Sequence, residues 1–344
     1  MTTTGLYLGK FAPLHKGHQH CIETARDEVD ELVVLIYDEP EVTDIPLEVR
    51  VLWLHQLYGA HNSGVTIEKA YNAPTEVGYD DHLKALHEKY VIDTVGDDFD
   101  VFFSSEPYGE HMADALDAED YRVDEERNEV PISATNIRAA FDEGNTAAVR
   151  EYVPDVVWRS LVTNVVVLGG VSTGKTTLTK ALAYEYSDER MPEHGDEFWH
   201  EHADENGELS TLQLAQLARE HRQREERKLL EADQYLFTDT NAVTTGLFSR
   251  LYHDGAINPR LRDMMDAAIP RYDLVFLCDD DIPFEPAPGR MGPTGRETLQ
   301  RMHESWLDRH NVPYYRLSGS VEERVAQASR VLDSHNKWDS ERQS

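Results

Sequence analysis

The sequence predicts an α/β protein built from two doubly wound parallel-sheet domains in tandem. Three observations predict it. Twice along the 344 residues a short apolar run ends in a glycine-bearing loop and continues as a helix, once after Gly5–Leu8 and again after Asn164–Leu168. Around both, apolar runs alternate with helical patterns, the βαβ rhythm that builds parallel sheets. The length suits two such domains, each with its own core.

Gly5–Leu8 reads as the first strand. It enters Gly9-Lys10-Phe11-Ala12-Pro13-Leu14-His15-Lys16-Gly17-His18, and Cys21–Ala25 continue as a helix. A loop that opens a helix aims backbone N–H groups and the positive helix end at an anion. Two histidines three positions apart fall on one side of its first turn, and Gly17 between them lets a nucleotide come close to the backbone. Glu31–Tyr37, Val65–Ala70 and Asp100–Ser104 read as further strands, and Pro46–Tyr58, with Arg50 and Trp53, as an amphipathic helix. Trp53 offers a face for a pyridine ring, although a tryptophan at helical spacing is ordinarily core. Open sheets bind ligands at the carboxyl ends of their strands. That marks Ser104, Ser105, Glu106 and Tyr108, in the loop running to Gly109, as substrate-binding. Further on, Ser133 or Thr135 is a suitable N-cap for a helix that carries Arg138, a permanently charged, forked phosphate donor. Ala140–Val157 reads as closing helices. The absence of a Gly/Ser-rich linker predicts domains that sit against each other.

Asn164–Leu168 reads as a buried strand. After it, Gly169-Gly170-Val171-Ser172-Thr173-Gly174-Lys175-Thr176 matches the phosphate-binding loop G-x-x-x-x-G-K-[ST] at every fixed position, and Thr177 to Tyr186 reads as the following helix. In this motif the loop residues Gly169 to Thr177 cradle ATP, Lys175 reaches the β- and γ-phosphates, and Thr176 ligates Mg²⁺ through its hydroxyl. Tyr235–Thr238 is a strand that ends in Asp239, the natural second metal ligand. Ser210–Asp233 is a long helix whose charged run, Arg222 to Lys228, is a solvated face. His194, His200, Glu201 and His202 form an acidic, histidine-bearing stretch without the spacing of a zinc site. Leu274–Leu277 is a further strand.

These motifs carry a resemblance. The H-x-G-H of His15 to His18, with Ile132-Ser133-Ala134-Thr135-Asn136-Ile137-Arg138, resembles the nucleotidylyltransferase superfamily. The further segments Ser104-Ser105-Glu106-Pro107, Val123-Asp124 with Arg127, and Pro131-Ile132-Ser133 narrow it. Together with the second half they look like the NadR-type bifunctional nicotinamide-mononucleotide adenylyltransferase/ribosylnicotinamide kinase, over nearly the whole chain. The resemblance implies a Rossmann-like nucleotidylyltransferase domain in residues 1–158 and a P-loop kinase domain in residues 159–335. It implies ATP on Gly9, Lys10, Phe11, Gly17, Ser133 and Thr135 in the first domain. His15, His18 and Arg138 would stabilise charge while the phosphate of nicotinamide mononucleotide attacks the α-phosphorus. The second domain would pass the γ-phosphate of ATP, with Mg²⁺, to nicotinamide riboside. Glu193 or Glu197 would be its base, with Arg290 and Arg296 on an arginine-bearing lid. Three departures from the family pattern, Asp196, Asn241 and Ala287, leave open whether this second domain turns over.

Composition bounds the partners. The net charge of −32 is spread along the chain, which opposes nucleic acid and anionic membranes and suits a salt-rich interior. Two distant cysteines and the lack of a long apolar run or signal pattern predict a cytoplasmic protein. Self-association as a homo-oligomer is left unspecified. Two alternatives compete: a fused phosphopantetheine adenylyltransferase/dephospho-coenzyme A kinase, which shares this domain order, and a nucleotide-sensing regulator. The Gly-Lys-Phe and Ser-Ser-Glu-Pro segments oppose the first. The acidity, and a first strand beginning by Gly5, oppose the second.

Overall fold

Among the described residues, ten strands make two five-stranded sheets, and every pairing is parallel. The computed structural model describes residues 2–60, 63–74, 80–105, 109–205, 207–285 and 292–338. The chain divides into two compact units, 1–158 and 159–337, with Trp338 grouped with the first. No helix among the described residues is long and apolar enough to cross a membrane.

The first sheet comprises β1 (Thr4–Gly9), β2 (Glu31–Tyr37), β3 (Val65–Ala70), β4 (Val101–Ser104) and β5 (Glu119–Arg122), in the order β3-β2-β1-β4-β5. Leu6 stands opposite Val33 on one side and Phe102 on the other. Leu6, Leu8, Leu35 and Phe102 bury against Met112 and Leu116 of the helix Gly109–Leu116. Each such side chain contributes about 1.5–3 kcal/mol when taken from water. Trp53 is fully buried, so it belongs to the core and offers no face to a ligand.

The second sheet comprises β6 (Thr163–Leu168), β7 (Glu189–Met191), β8 (Tyr235–Asp239), β9 (Leu274–Cys278) and β10 (Tyr315–Leu317), in the order β10-β9-β6-β8-β7. All six residues of β6 are buried. Val165 and Val167 pack with Leu178 and Leu182 of the helix Lys175–Glu185, while Val166 and Leu168 pack on the other face with Leu307. A strand covered on both faces reads as a continuous apolar run, which is why this one was legible.

Three strands have no counterpart in the sequence reading: β5 (Glu-Asp-Tyr-Arg), β7 (Glu-Arg-Met) and β10 (Tyr-Arg-Leu). Each pairs on one side only. An edge strand half open to water needs neither length nor an apolar run, so composition does not announce it.

Candidate active sites

In the first sheet the chain steps from β1 outward to β2 and β3, then returns to the other side of β1 for β4 and β5. At such a reversal the loops leaving neighbouring strands diverge and open a crevice at their carboxyl ends. A cavity of about 340 Å³ lies there, lined among others by Lys10, His15, His18, Ser104, Arg127 and Arg138.

His15 is the N-cap of the helix Lys16–Glu28. Its Nδ1 accepts the Gly17 N–H (3.1 Å), while Nδ1 of His18 accepts the His15 N–H (3.3 Å). The two rings stack with centroids 3.7 Å apart. The His15 ring lies close over Gly17, where a Cβ would stand 3.0 Å from it. With Nδ1 an acceptor in both rings, the proton of each neutral ring sits on Nε2. Burial, reinforced by Arg127, lowers His15 to about 3, and burial, His15 and Arg127 lower His18 in the same direction. At neutral pH they are uncharged Nε2–H donors, and the positive charge of the cavity comes from arginine and lysine.

Arg138 lies on the helix Ala134–Asp142, whose N-cap is Ser133 rather than Thr135. Its guanidinium donates to the Ala12 carbonyl and, at 3.3 Å, to Thr135 Oγ1. Lys10 pairs with buried Glu39 at 2.5 Å. Phe11 is fully buried with its ring tilted against His18, 4.9 Å between centroids, and it supports that histidine from behind. Gly9 makes the room, since a Cβ there would meet the Phe11 ring at 2.8 Å. Ser104 and Ser105 line the cavity at the end of β4, as their position after a strand predicts. Glu106 and Tyr108 lie outside the described residues.

Two residues of this unit escaped the site reading. Arg127 faces both histidines from a loop tied down by Asp124, whose carboxylate accepts the N–H groups of Asn128, Glu129 and Val130 at 2.7–3.0 Å. Burial opposes ionisation of Asp124, but those three donors outweigh it and hold its carboxyl below the usual value. Arg50, almost fully buried, donates to the carbonyls of Lys10, Tyr37 and Ile45 at 2.6–3.0 Å and so fixes the loops that leave β1 and β2. Arg127 had a signal in the Val-Asp-x-x-Arg pattern; Arg50 had only its place on an amphipathic helix.

In the second unit the phosphate-binding loop joins β6 to its helix. Gly169 and Gly174 take φ of 141° and 86°, which only glycine adopts without strain, and Ser172 takes 57°. Lys175 Nζ donates to the Gly170 carbonyl (2.8 Å), as does Thr173 Oγ1 (2.9 Å). Thr173 is fully buried and braces the loop, Val171 packs against the neighbouring helices, and Thr177, third residue of the helix, is exposed. Thr176 Oγ1 donates to Asp239 Oδ2 at 2.7 Å. Asp239 is wholly buried, and its Oδ1 finds no partner among the described residues. A hydroxyl beside a carboxylate with one open oxygen is a donor set that a hard divalent cation accepts, the remaining positions falling to water and phosphate.

The loop is held from outside by residues the motif does not contain. Gln300 Oε1 accepts the Gly170 N–H (2.8 Å), and Arg324 donates to the Thr173 carbonyl. Arg190, on β7, donates to Asp239 Oδ2 (3.0 Å) and to Thr179 Oγ1 (2.9 Å). Arg296 lies buried in the first turn of the helix Pro293–Arg309, with its carbonyl against Gly170 and its Nη2 on the Ile282 carbonyl. Arg290 and Ala287 lie outside the described residues. Glu193, Asp196 and Glu197 are exposed around the start of the helix Gly195–His202. Glu197 binds Arg224 (2.7 Å) and His194 (3.0 Å), and Arg224 chiefly holds it below the usual carboxylate range. Asn241 caps the helix Ala242–Tyr252 through the Val243 N–H (2.9 Å).

The Cytidylyltransferase-like family matches residues 6–140, and an AAA domain family matches residues 164–324. The trifunctional NAD biosynthesis/regulator protein NadR of Escherichia coli K12 is 28% identical over 335 residues, covering 92% of this chain and 78% of that protein. Its namesake in Salmonella typhimurium LT2 is 29% identical over 306 residues, covering 81% and 70%. A solved NadR structure in complex with NAD and AMP-PNP aligns with a TM-score of 0.56 at 20% identity, covering 96% of this chain and 95% of that one. A second, in complex with NR, aligns with the same score at 21% identity and the same coverage. At those identities the solved structures speak to the fold.

Proposed function

We propose that the chain is a NadR-type enzyme, as its 28–29% identity to the NadR relatives over most of its length supports, and that its first unit makes NAD while its second makes the mononucleotide that the first consumes. Residues 1–158 transfer the adenylyl group of ATP to nicotinamide mononucleotide, releasing pyrophosphate. Residues 159–335 move the γ-phosphate of ATP to nicotinamide riboside. The observation that supports this reading is the His15/His18 cap, which with Arg138 lines a cavity at the reversal of the first sheet.

The nucleophile of the first reaction is a phosphate, already anionic near neutral pH, so no proton has to be taken from it. Catalysis is then positioning and electrostatic stabilisation. Neutral His15 and His18 suit that role as directional donors to phosphate oxygens, while Arg138 and Arg127 bring charge. Ser104 and Ser105, with Glu106 and Tyr108 beyond them, meet the mononucleotide.

In the second unit the phosphate-binding loop holds ATP and Lys175 leaves the Gly170 carbonyl for the β- and γ-phosphates. Thr176 and Asp239 would hold Mg²⁺, which would neutralise phosphate charge. The riboside hydroxyl must lose a proton as it attacks, and a carboxylate beside Gly195, Glu193 or Glu197, takes it. Arg224 weakens Glu197 as a base for as long as the two remain paired. ATP and pyridine nucleotides as substrates put the activity in the cytoplasm in this proposal.

The test supplies ATP and Mg²⁺ with nicotinamide riboside, nicotinamide mononucleotide or phosphopantetheine in turn. Riboside and mononucleotide should react and phosphopantetheine should not. Lys175→Ala should abolish riboside phosphorylation and spare adenylylation. His18→Ala should do the reverse, with a loss on the order of 10²–10³. Loss of adenylylation in Lys175→Ala would show one shared site in place of two.

A further inference from the structure

Asp239 is wholly buried, and two donors, a hydroxyl and a guanidinium, meet at one of its oxygens. Thr176 and Arg190 both approach Oδ2, at 2.7 and 3.0 Å, and Oδ1 has no partner among the described residues. A buried carboxylate without a counter-charge is among the more costly groups a protein can hold. Arg190 supplies that charge from an edge strand. Its side chain is mostly covered, and its Nε is anchored on Thr179, one turn along the helix that Lys175 begins. The guanidinium thus spans β7, the end of β8 and the phosphate-loop helix. No part of the phosphate-binding motif requires it.

We propose that Arg190 is the resident counter-ion of Asp239, a positioning residue that fixes the carboxylate for the metal and also competes with the metal for it. The inference rests on the kinase reading of the second unit. When a divalent cation arrives with nucleotide, the carboxylate acquires a second positive neighbour, and attraction to Arg190 is partly replaced by repulsion between the two cations. Arg190 therefore raises the metal concentration the site needs while stabilising the ligand-free fold. A purely structural ion pair would do only the second. A phosphate-binding arginine would instead be needed for nucleotide affinity.

The experiment uses the full chain as wild type, Arg190→Gln and Arg190→Lys. Binding of a fluorescent ADP analogue is titrated with Mg²⁺, and the signal that persists in Lys175→Ala is subtracted as the first unit's share. Arg190→Gln should lower the Mg²⁺ concentration at half-saturation by about threefold to tenfold, the scale of one charge-assisted contact. Its ligand-free melting midpoint should fall by about 2–4 °C. Arg190→Lys keeps the charge without the fork, so it should fold and lie between wild type and Arg190→Gln. An unchanged or raised half-saturation in both variants would overturn the proposal, and a fall in nucleotide affinity at saturating Mg²⁺ would make Arg190 a phosphate ligand instead. If wild type itself shows no Lys175-dependent, Mg²⁺-dependent signal, the kinase reading fails and takes this inference with it.

Discussion

His15 and His18 each commit Nδ1 to a backbone N–H, and that leaves either ring only its Nε2–H to offer a phosphate. The same burial that keeps them neutral makes them a liability in acid. His15 falls from 6.5 to about 3, so the unfolded chain takes up this proton at a pH where the folded one refuses it. The stability it contributes is complete above pH 6.5 and is lost as pH falls toward 3, at about 1.4 kcal/mol per pH unit. His18 acts in the same direction. His15→Asn keeps an acceptor for the Gly17 N–H and removes the titrating ring, so its acid loss should be smaller by about that slope. Urea unfolding of the first unit at two pH values, one on either side of 6, checks this; equal losses in the two proteins would rule burial of His15 out as the cause. At this scale, what the sequence revealed depended on motif spacing. Lys175, Thr176 and Asp239 could be named because a short local pattern fixes them. Arg190 and Gln300 could not, because each reaches the loop through tertiary packing.

Strands were legible where they carry apolar or β-branched residues, even at an edge such as β3 with Val65 and Ile67. β2 and β3 have the limits their apolar residues suggested, Glu31–Tyr37 and Val65–Ala70, whereas the polar edge strands β5 and β7 went unread. The loop from Gly9 to His18 was legible as an anion site, but the fully buried Phe11 within it was not, since a loop aromatic looks the same whether it meets ligand or props up a neighbour. One substitution tests the start of the following helix as a unit. In Gly17→Ala the added Cβ meets Cε1 and Nδ1 of His15 at 3.0 Å, and the ring must shift by a few tenths of an ångström against its cap. Adenylylation should fall on the order of 10–100-fold, the loss expected when a reacting group's partner is slightly misplaced. Riboside phosphorylation is the built-in control and should not change. Adenylylation at the wild-type rate would mean that the cap geometry is dispensable.

Across the whole molecule, 65 acidic residues face 33 basic ones. Ion pairs such as Lys89–Asp93 are exposed and individually weak, and salt weakens them further. Self-repulsion among the unpaired acidic majority outweighs them, and salt removes it as the screening length shrinks from about 10 Å at 0.1 M to about 3 Å at 1 M. Melting midpoints should therefore rise from dilute buffer into molar KCl. A midpoint that is flat or falling would separate the acidity from any adaptation to salt. The strand orders carry one more consequence. In each unit the strand made first, β1 or β6, becomes the middle of the sheet, and the neighbour on one of its sides is synthesised late: β4 begins at Val101 and β9 at Leu274. While a ribosome is still short of those residues, the central strand of the unit being made has one bare edge of unpaired amides and carbonyls. Nascent chains halted just before Val101 or Leu274 still carry that bare edge and are open to pairing with a stranger.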